Sequence, residues 1–98
     1  MTSIVLAPQA SVDIEEAARW YENQLTGLGI EFVLEVDFAF EKIQNNPKFY
    51  LQSYRSVRRA LLRRFPYAIY FLANNSRIHI IAVLHQVRSD KAVKLRLL

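Results

Sequence analysis

The sequence predicts an α+β domain of order β-α-α-β-β-β, in which an N-terminal helical hairpin covers one face of an antiparallel sheet. The chain has 98 residues, of which 52% are hydrophobic, and this size and composition indicate a single domain over residues 1–98. Apolar residues at helical spacing dominate the first half of the chain. Alternating β-branched and aromatic residues dominate the second half, which indicates strands.

The first strand and the first helix are separated by a proline. β-Branched residues over positions 3–7 predict a strand that ends at Pro8, and a proline also suits the first turn of a helix. Apolar residues then recur at spacings of three and four, at Ile14, Ala17, Tyr21 and Leu25. The acids between them are expected on the solvated face of this helix: Asp13, Glu15, Glu16 and Glu22.

A second helix follows a glycine-containing turn. Gly27 and Gly29 interrupt the first helix, and Asn45-Asn46-Pro47 is a stop signal for the second. The second apolar series comprises Val33, Val36, Phe40 and Ile43. Two helices joined by so short a turn predict an antiparallel hairpin. Phe40 is expected in the core, and so are the aromatic residues Trp20, Tyr21 and Phe32.

Three strands are predicted after the hairpin, over residues 57–65, 67–72 and 78–87, with a turn at 74–76. The two-residue period of the last strand predicts one face with Ile78, Ile80, Ala82 and Leu84, and the other with His79, Ile81, Val83 and His85. Both faces are largely apolar, so this strand is expected in the middle of the sheet. The basic tail over residues 91–98 is expected to form a short helix.

Charge divides the chain into two halves. The net charge is +4, but residues 1–47 carry −6 and residues 48–98 carry +10. The basic half is therefore expected to attract an anionic partner, which is a nucleic acid, the ribosome or an acidic peptide. A solvated basic face without a partner is the alternative.

Several classes of protein are excluded by composition. The chain contains no cysteine, so it has no disulfide, no thiolate metal site and no cysteine nucleophile, and the reducing cytoplasm is the expected location. No apolar stretch reaches the roughly 18 to 20 residues of a membrane span, and the N-terminus lacks the pattern of a secretion signal. No glycine-rich phosphate loop is present, and His79 and His85 lack a third ligand at metal-site spacing. Neither a cofactor nor a metal is expected.

Five arginines lie within residues 55–65. Period two places Arg59 and Arg63 on one face of the predicted strand, and Arg58 and Arg64 on the other. One interpretation is an edge strand protected from aggregation by charge. The other is a strip that binds phosphates or an acidic peptide through guanidinium groups.

His85 and Arg88 follow at the end of the last strand. A histidine beside a basic patch is able to transfer a proton to or from a ribose or phosphate, with Arg88 stabilising charge. A hydrogen-bonded structural or recognition histidine is the alternative. The candidate partner-binding residues are thus Arg58, Arg59, Arg63, Arg64, His85 and Arg88.

An ordered set of motifs resembles the RelE/ParE superfamily of bacterial toxins, and more closely its ParE-like branch. The motifs are Ala17-Ala18-Arg19-Trp20-Tyr21-Glu22, Gly27-Leu28-Gly29, Phe32, Asn46-Pro47, Val57-Arg58-Arg59, Arg64-Phe65-Pro66-Tyr67-Ala68-Ile69-Tyr70 and Ala82-Val83-Leu84-His85-Gln86-Val87-Arg88. The resemblance covers nearly the whole chain. It implies the fold described above and a toxin of a type II toxin-antitoxin system, neutralised by a ParD-like or similar antitoxin.

The resemblance also implies a choice between two targets. RelE-like members cut mRNA on the ribosome with basic residues and often a tyrosine, whereas ParE-like members poison DNA gyrase by binding. Ala68, Gln86 and Ala92 stand where the cleavage residues are expected, so the resemblance favours gyrase. The alternative is an mRNA endonuclease in which Arg59, His85 and Arg88 are catalytic, and a further alternative is a non-toxic module that only binds its antitoxin. The antitoxin is expected to offer an acidic, amphipathic C-terminal segment to the hairpin and the arginines.

Overall fold

The computed structural model describes residues 2–97, apart from the side chains of residues 88–90. The helices and strands are β1 (Ser3–Leu6), α1 (Pro8–Gln24), α2 (Leu28–Asn45), β2 (Gln52–Tyr54), β3 (Val57–Leu61), β4 (Tyr67–Asn74), β5 (Arg77–His85) and α3 (Ser89–Arg96). Single 3-10 turns lie at Pro47–Phe49 and Gln86–Arg88. This confirms the predicted α+β class and adds one short strand, β2. Over residues 2–97, no helix is long and apolar enough to cross a membrane.

The sheet has the strand order β1-β5-β4-β3-β2. Strands β2 to β5 pair antiparallel, as predicted, and β5 lies centrally between β1 and β4. β1 is the exception, because it pairs with β5 in parallel, with Ser3 opposite Arg77 and Leu6 opposite Ile80. The sheet is therefore mixed. The orientation of β1 is set by a partner more than seventy residues away in sequence, which no local pattern reports.

The turn between α1 and α2 is held by one carboxylate and one close approach. Gly27 adopts a left-handed conformation with φ of 92°, and the Glu22 carboxylate accepts hydrogen bonds from the amides of Gly27 and Gly29 at 3.0 Å. These amides start α2 and have no partner within the helix. A Cβ atom at Gly29 would lie 2.6 Å from the Ala18 carbonyl oxygen, so glycine allows the two helices to touch here. The antiparallel hairpin is confirmed.

The hairpin packs on one face of the sheet, which we call the hairpin face. Its core combines Ala17, Phe32, Val36 and Ile43 of the helices with Ile69, Phe71, Ile78, Ile80 and Val83 of the strands. Tyr21 and Phe32 lie in this core as predicted, but the prediction for Trp20 is wrong, because 57% of it is exposed. Phe40 is only partly buried against the core. The buried stripe of α2 thus lies to one side of the predicted series.

A β-bulge in β5 reverses the predicted faces of that strand. Tyr70 of β4 stands opposite Ala82 and Phe71 stands opposite Ile80, so Ile81 is an extra residue. Beyond the bulge, Val83 joins the hairpin-face core, whereas Ala82 and Leu84 pack on the opposite side, which we call the far face. The prediction that Ala82 and Leu84 share a face with Ile78 and Ile80 is therefore wrong.

Asp13 is buried, which corrects its predicted place on the solvated face of α1. Its carboxylate accepts a hydrogen bond from the Val83 amide at 3.0 Å and two from the Arg96 guanidinium, at 2.5 and 2.8 Å. The pairing of β1 with β5 ends at Ile80, so the β5 edge beyond that point has lost its strand neighbour on this side. Asp13 and Arg96 bind that edge, since Arg96 also donates to the Ile81 carbonyl at 3.3 Å.

Candidate functional site

The arginines that the sequence groups into one strip lie on three different surfaces. Arg58 donates to the Tyr50 carbonyl at 2.6 Å on the side of the hairpin. Arg59 stands opposite Tyr70 on the far face, with its guanidinium carbon 5.9 Å from the Tyr70 ring centre. Arg63 and Arg64 lie beyond the end of β3, in the bend before β4. The four arginines therefore do not lie on a single partner-binding surface.

Two carboxylates of α2 hold the bend that carries Arg63 and Arg64. The amides of both arginines donate to one Glu35 oxygen, at 2.7 and 2.9 Å. The Arg64 guanidinium pairs with Glu31 at 2.5 Å. The hydrogen bond from Glu31, and then its charge, raise the pKa of Arg64 above its ordinary value, so this guanidinium keeps its charge. The predicted strand ends at Leu61 because these amides bind α2 instead of a strand.

A groove of about 700 Å³ runs between α2 and this bend. Its apolar wall consists of Leu34, Phe38, Phe49 and Leu61, each more than half exposed. Three cations and two carboxylates line it: Lys42, Arg63, Arg64, Glu31 and Glu35. Arg64 is engaged by Glu31, Lys42 lies 5.0 Å from the Phe38 ring centre, and Arg63 makes no ion pair within the described part of the chain. Such a groove suits an apolar segment that also carries negative charge.

Tyr50 is one of the residues that line the groove. It is half-buried, and this burial raises the pKa of its phenol above the ordinary value, so the phenol is neutral at physiological pH. Tyr50 also contacts the ring of Phe71 edge to face at 5.8 Å, which joins the groove to the core. The groove is thus supported by the packed hairpin face and does not depend on loops alone.

His85 and Arg59 lie on opposite faces of the sheet. His85 stands opposite Tyr67, which packs against the hairpin-face core, and the two ring centres are 5.4 Å apart. The His85 Nδ1 accepts a hydrogen bond from the Val87 amide at 3.2 Å. Arg59 belongs to the far face. The structure therefore does not bring these two candidate catalytic residues together.

Arg88 ends the last 3-10 turn, and its side chain lies outside the described part of the chain. The position of its guanidinium relative to His85 stays a prediction. Among the described residues, no group of three histidine, cysteine or acidic side chains is arranged to hold a metal ion.

Sequence reasoning missed the apolar wall of the groove. Ile30, Leu34 and Phe38 recur every four residues along α2, beside the series that was assigned to the core. Two apolar stripes on one helix are a signal that one of them lacks a partner within the chain. Phe49 and Leu61 join this stripe only through the fold.

The fold is similar to that of one chain of a solved structure titled "Chromosomal ParDE TA system from P. aeruginosa". The two chains are 18% identical, the match covers 87% of this chain and 96% of that chain, and the TM-score is 0.76. Likeness at this level of identity establishes the shared fold. No protein-family model and no curated protein sequence matches the chain.

Proposed function

We propose that the protein is the toxin of a type II toxin-antitoxin system, that it inhibits DNA gyrase by binding, and that an antitoxin neutralises it through the groove. The groove between α2 and the bend after β3 carries this proposal, because it exposes an apolar wall beside Arg63, which makes no ion pair among the described residues. The fold shared with a chain of a ParDE toxin-antitoxin system supports it. Such a toxin acts in the cytoplasm.

The chemistry of the groove indicates what the antitoxin offers. Leu34 and Phe38 lie one helical turn apart and are 61% and 59% exposed, a spacing that matches the apolar side of an amphipathic segment. Arg63, which makes no ion pair among the described residues, is available to a carboxylate of that segment, and the basic half of the chain favours an acidic partner at longer range. The expected occupant is therefore an acidic, amphipathic C-terminal segment.

Binding to gyrase accounts for the geometry better than RNA cleavage does. General acid-base cleavage requires groups that reach the same reacting atoms. Arg59 and His85, two of the three candidate catalytic residues, lie on opposite faces of the sheet. A protein that acts by docking needs no such convergence.

Expression in bacteria, followed by purification and a supercoiling assay, tests the target. Gyrase, ATP and relaxed plasmid with added protein should give lost supercoiling or trapped double-strand breaks. Primer extension on translated mRNA runs in parallel, and cuts on the ribosome with unaffected gyrase would replace the gyrase proposal with the nuclease. Unchanged growth and unaffected gyrase together would leave a non-toxic module.

The antitoxin part is tested with the short acidic protein that a neighbouring reading frame is expected to encode. Phe38→Ala should weaken binding on the order of tenfold or more, because it removes an apolar anchor. Ile30→Ala is the matched control, since Ile30 is 68% exposed on the same helix but does not line the groove.

The electrostatic part has its own pair of variants. Arg63→Gln should weaken binding and reduce its salt dependence, whereas Arg77→Gln, at an exposed arginine that does not line the groove, should change neither. Equal effects of the groove and control variants would show that the antitoxin binds elsewhere.

A further inference from the structure

A second pocket lies beside the turn between β4 and β5, at the end of the sheet where β1 begins. Its volume is about 100 Å³, against about 700 Å³ for the groove, and the two share no lining residue. Hydrogen bonds tie the chain segments around it together. The Ser3 amide donates to the Ser76 carbonyl at 2.9 Å, and the Gln44 side chain donates to the Thr2 carbonyl at 2.9 Å. The pocket is therefore preformed, with room for one small group and not for a peptide segment.

Three cations line this pocket, and no acidic residue does: Lys48, Arg58 and Arg77. They come from the 3-10 turn after α2, from β3 and from the start of β5. None of them makes an ion pair within the described part of the chain. The sequence contains no aspartate or glutamate between Glu41 and Asp90, so the segments that form this pocket supply no counter-charge. The groove differs, because carboxylates accompany its cations.

Arg58 is the least exposed of the three cations, and its guanidinium is held in place. It is half-buried and stands opposite Phe71 in the β3–β4 ladder. Its Nη1 donates to the Tyr50 carbonyl at 2.6 Å, and this acceptor is neutral. A guanidinium carries five N–H donors in a planar fork, so donors remain for a ligand. A half-buried charge without a counter-ion is costly, and an anion bound in the pocket removes part of that cost.

The other residues of the pocket narrow the class of anion. Asn74 and Asn75 line it, and their side-chain amides are able to donate hydrogen bonds without adding charge. Ile78 is fully buried and gives the pocket an apolar wall. Such a wall beside charges of one sign concentrates their electric field. Three cations with neutral donors suit a terminal phosphate, which carries more charge and more acceptor oxygens than a carboxylate.

We propose that this pocket binds a terminal phosphate group, with Lys48, Arg58 and Arg77 neutralising its charge. The phosphate is either free inorganic phosphate or the phosphomonoester end of a nucleotide. This site goes beyond the proposed function and does not depend on it, because it uses no residue of the groove and requires neither an antitoxin nor a target.

A phosphate titration followed by NMR tests the site in the full chain. Inorganic phosphate replaces chloride at constant ionic strength, so that general screening stays the same. Saturable shifts are expected for the Arg58 Nε–H and for the backbone amides of Asn75, Ser76 and Arg77. Resonances of the groove, such as the amides of α2 around Phe38, should not follow the same curve.

Variants of the two exposed cations separate the site from general attraction of anions. Lys48→Gln and Arg77→Gln should each weaken phosphate binding about fivefold or more, because each removes a charged donor. Arg55→Gln and Lys91→Gln remove the same charge at exposed positions outside the pocket, so they are the matched controls. The controls should change the affinity by about twofold or less.

Two further ligands identify the source of the phosphate. A nucleoside 5′-monophosphate that binds more tightly than inorganic phosphate assigns the pocket to a nucleotide end, and equal or weaker binding assigns it to free phosphate. A dinucleoside phosphodiester carries only one charge and should bind about fivefold or more weakly than the monophosphate. A phosphodiester that binds as tightly as the monophosphate would contradict a site for a terminal group.

The remaining outcomes decide the proposal itself. Thermal unfolding without phosphate checks that each variant is folded, and both pocket variants lie at exposed positions, so either of them carries the test alone. The double variant Lys48→Gln with Arg77→Gln should lose saturable binding. Absence of saturable shifts in the wild type at millimolar phosphate, or an equal loss of affinity in the pocket and control variants, would overturn the proposal.

Discussion

The two faces of the sheet differ in how fully packing and hydrogen bonds account for their buried side chains. On the hairpin face, Tyr21, Phe32, Phe65 and Tyr67 form an aromatic cluster with ring centres 4.7 to 6.0 Å apart. On the far face, Tyr70 belongs to a cluster of aliphatic residues, and two buried donors lack partners among the described residues. Neighbouring residues of β3 and β4 supply both faces. Aromatic packing on the hairpin face stabilises the fold. The far face carries buried polar groups, and apolar packing alone does not explain them.

The largest expected effect is on the hairpin face. Phe32→Ala should lower the free energy of unfolding by about 3 to 5 kcal/mol, because Phe32 is fully buried in the aromatic cluster. Phe40→Ala should cost less, since Phe40 is only partly buried. Denaturant unfolding measures both, with Phe38→Ala as the exposed control on the same helix. Equal losses for Phe32 and Phe38 would contradict the assignment of the buried stripe.

The next largest effect is expected at the contact between the two helices. Gly29→Ala should cost about 1 to 3 kcal/mol, because the added Cβ would press on the Ala18 carbonyl oxygen and force the helices apart. Thermal unfolding measures this loss of stability, with Thr26→Ala, at an exposed position in the same turn, as the control. A stabilised Gly29→Ala protein would mean that helix propensity outweighs this contact.

A substitution on the far face should have the opposite effect on stability. Tyr70→Phe removes a buried hydroxyl that has no partner among the described residues, so it should leave stability unchanged or raise it by about 1 kcal/mol. Denaturant unfolding is again the measurement, with Tyr67→Phe on the hairpin face for comparison. A loss of more than about 1 kcal/mol would show that the hydroxyl is bonded in the folded protein.

The smallest effect concerns alkaline pH. Burial raises the pKa of Tyr21, with a further contribution from Tyr67, and burial raises the pKa of Tyr50, both from an ordinary value of 10.0. The folded state therefore holds these protons more tightly than the unfolded state. Their contribution to stability is complete below about pH 10 and is lost as the pH rises through the folded pKa values. The free energy of unfolding, measured across this pH range, should decline less steeply in the double variant Tyr21→Phe with Tyr50→Phe than in the wild type. An identical decline would contradict the assignment.

Much of the fold could be predicted from local patterns. The helical spacing around Ala17 and Val36 and the glycines of the turn determine the hairpin, because these signals act over a few residues. The alternation in β4 likewise places Ile69 and Phe71 on one face. For the candidate site, the sequence indicated the basic residues Arg63 and Arg64 and an acidic partner, but not the apolar wall beside them.

The remaining features depend on residues that meet only in the folded chain. Asp13 looks like a surface acid until α1 is placed beside the free edge of β5, where Arg96 arrives from 83 residues away. The bulge at Ile81 changes which side chains share a face, and it depends on the register with β4. Sequence alone determined the fold class and the charge of the second half of the chain, since both follow from residue type and short-range spacing. Tertiary structure decided the parallel β1, the separation of the arginines and the groove, because burial and pairing are set by neighbours in space.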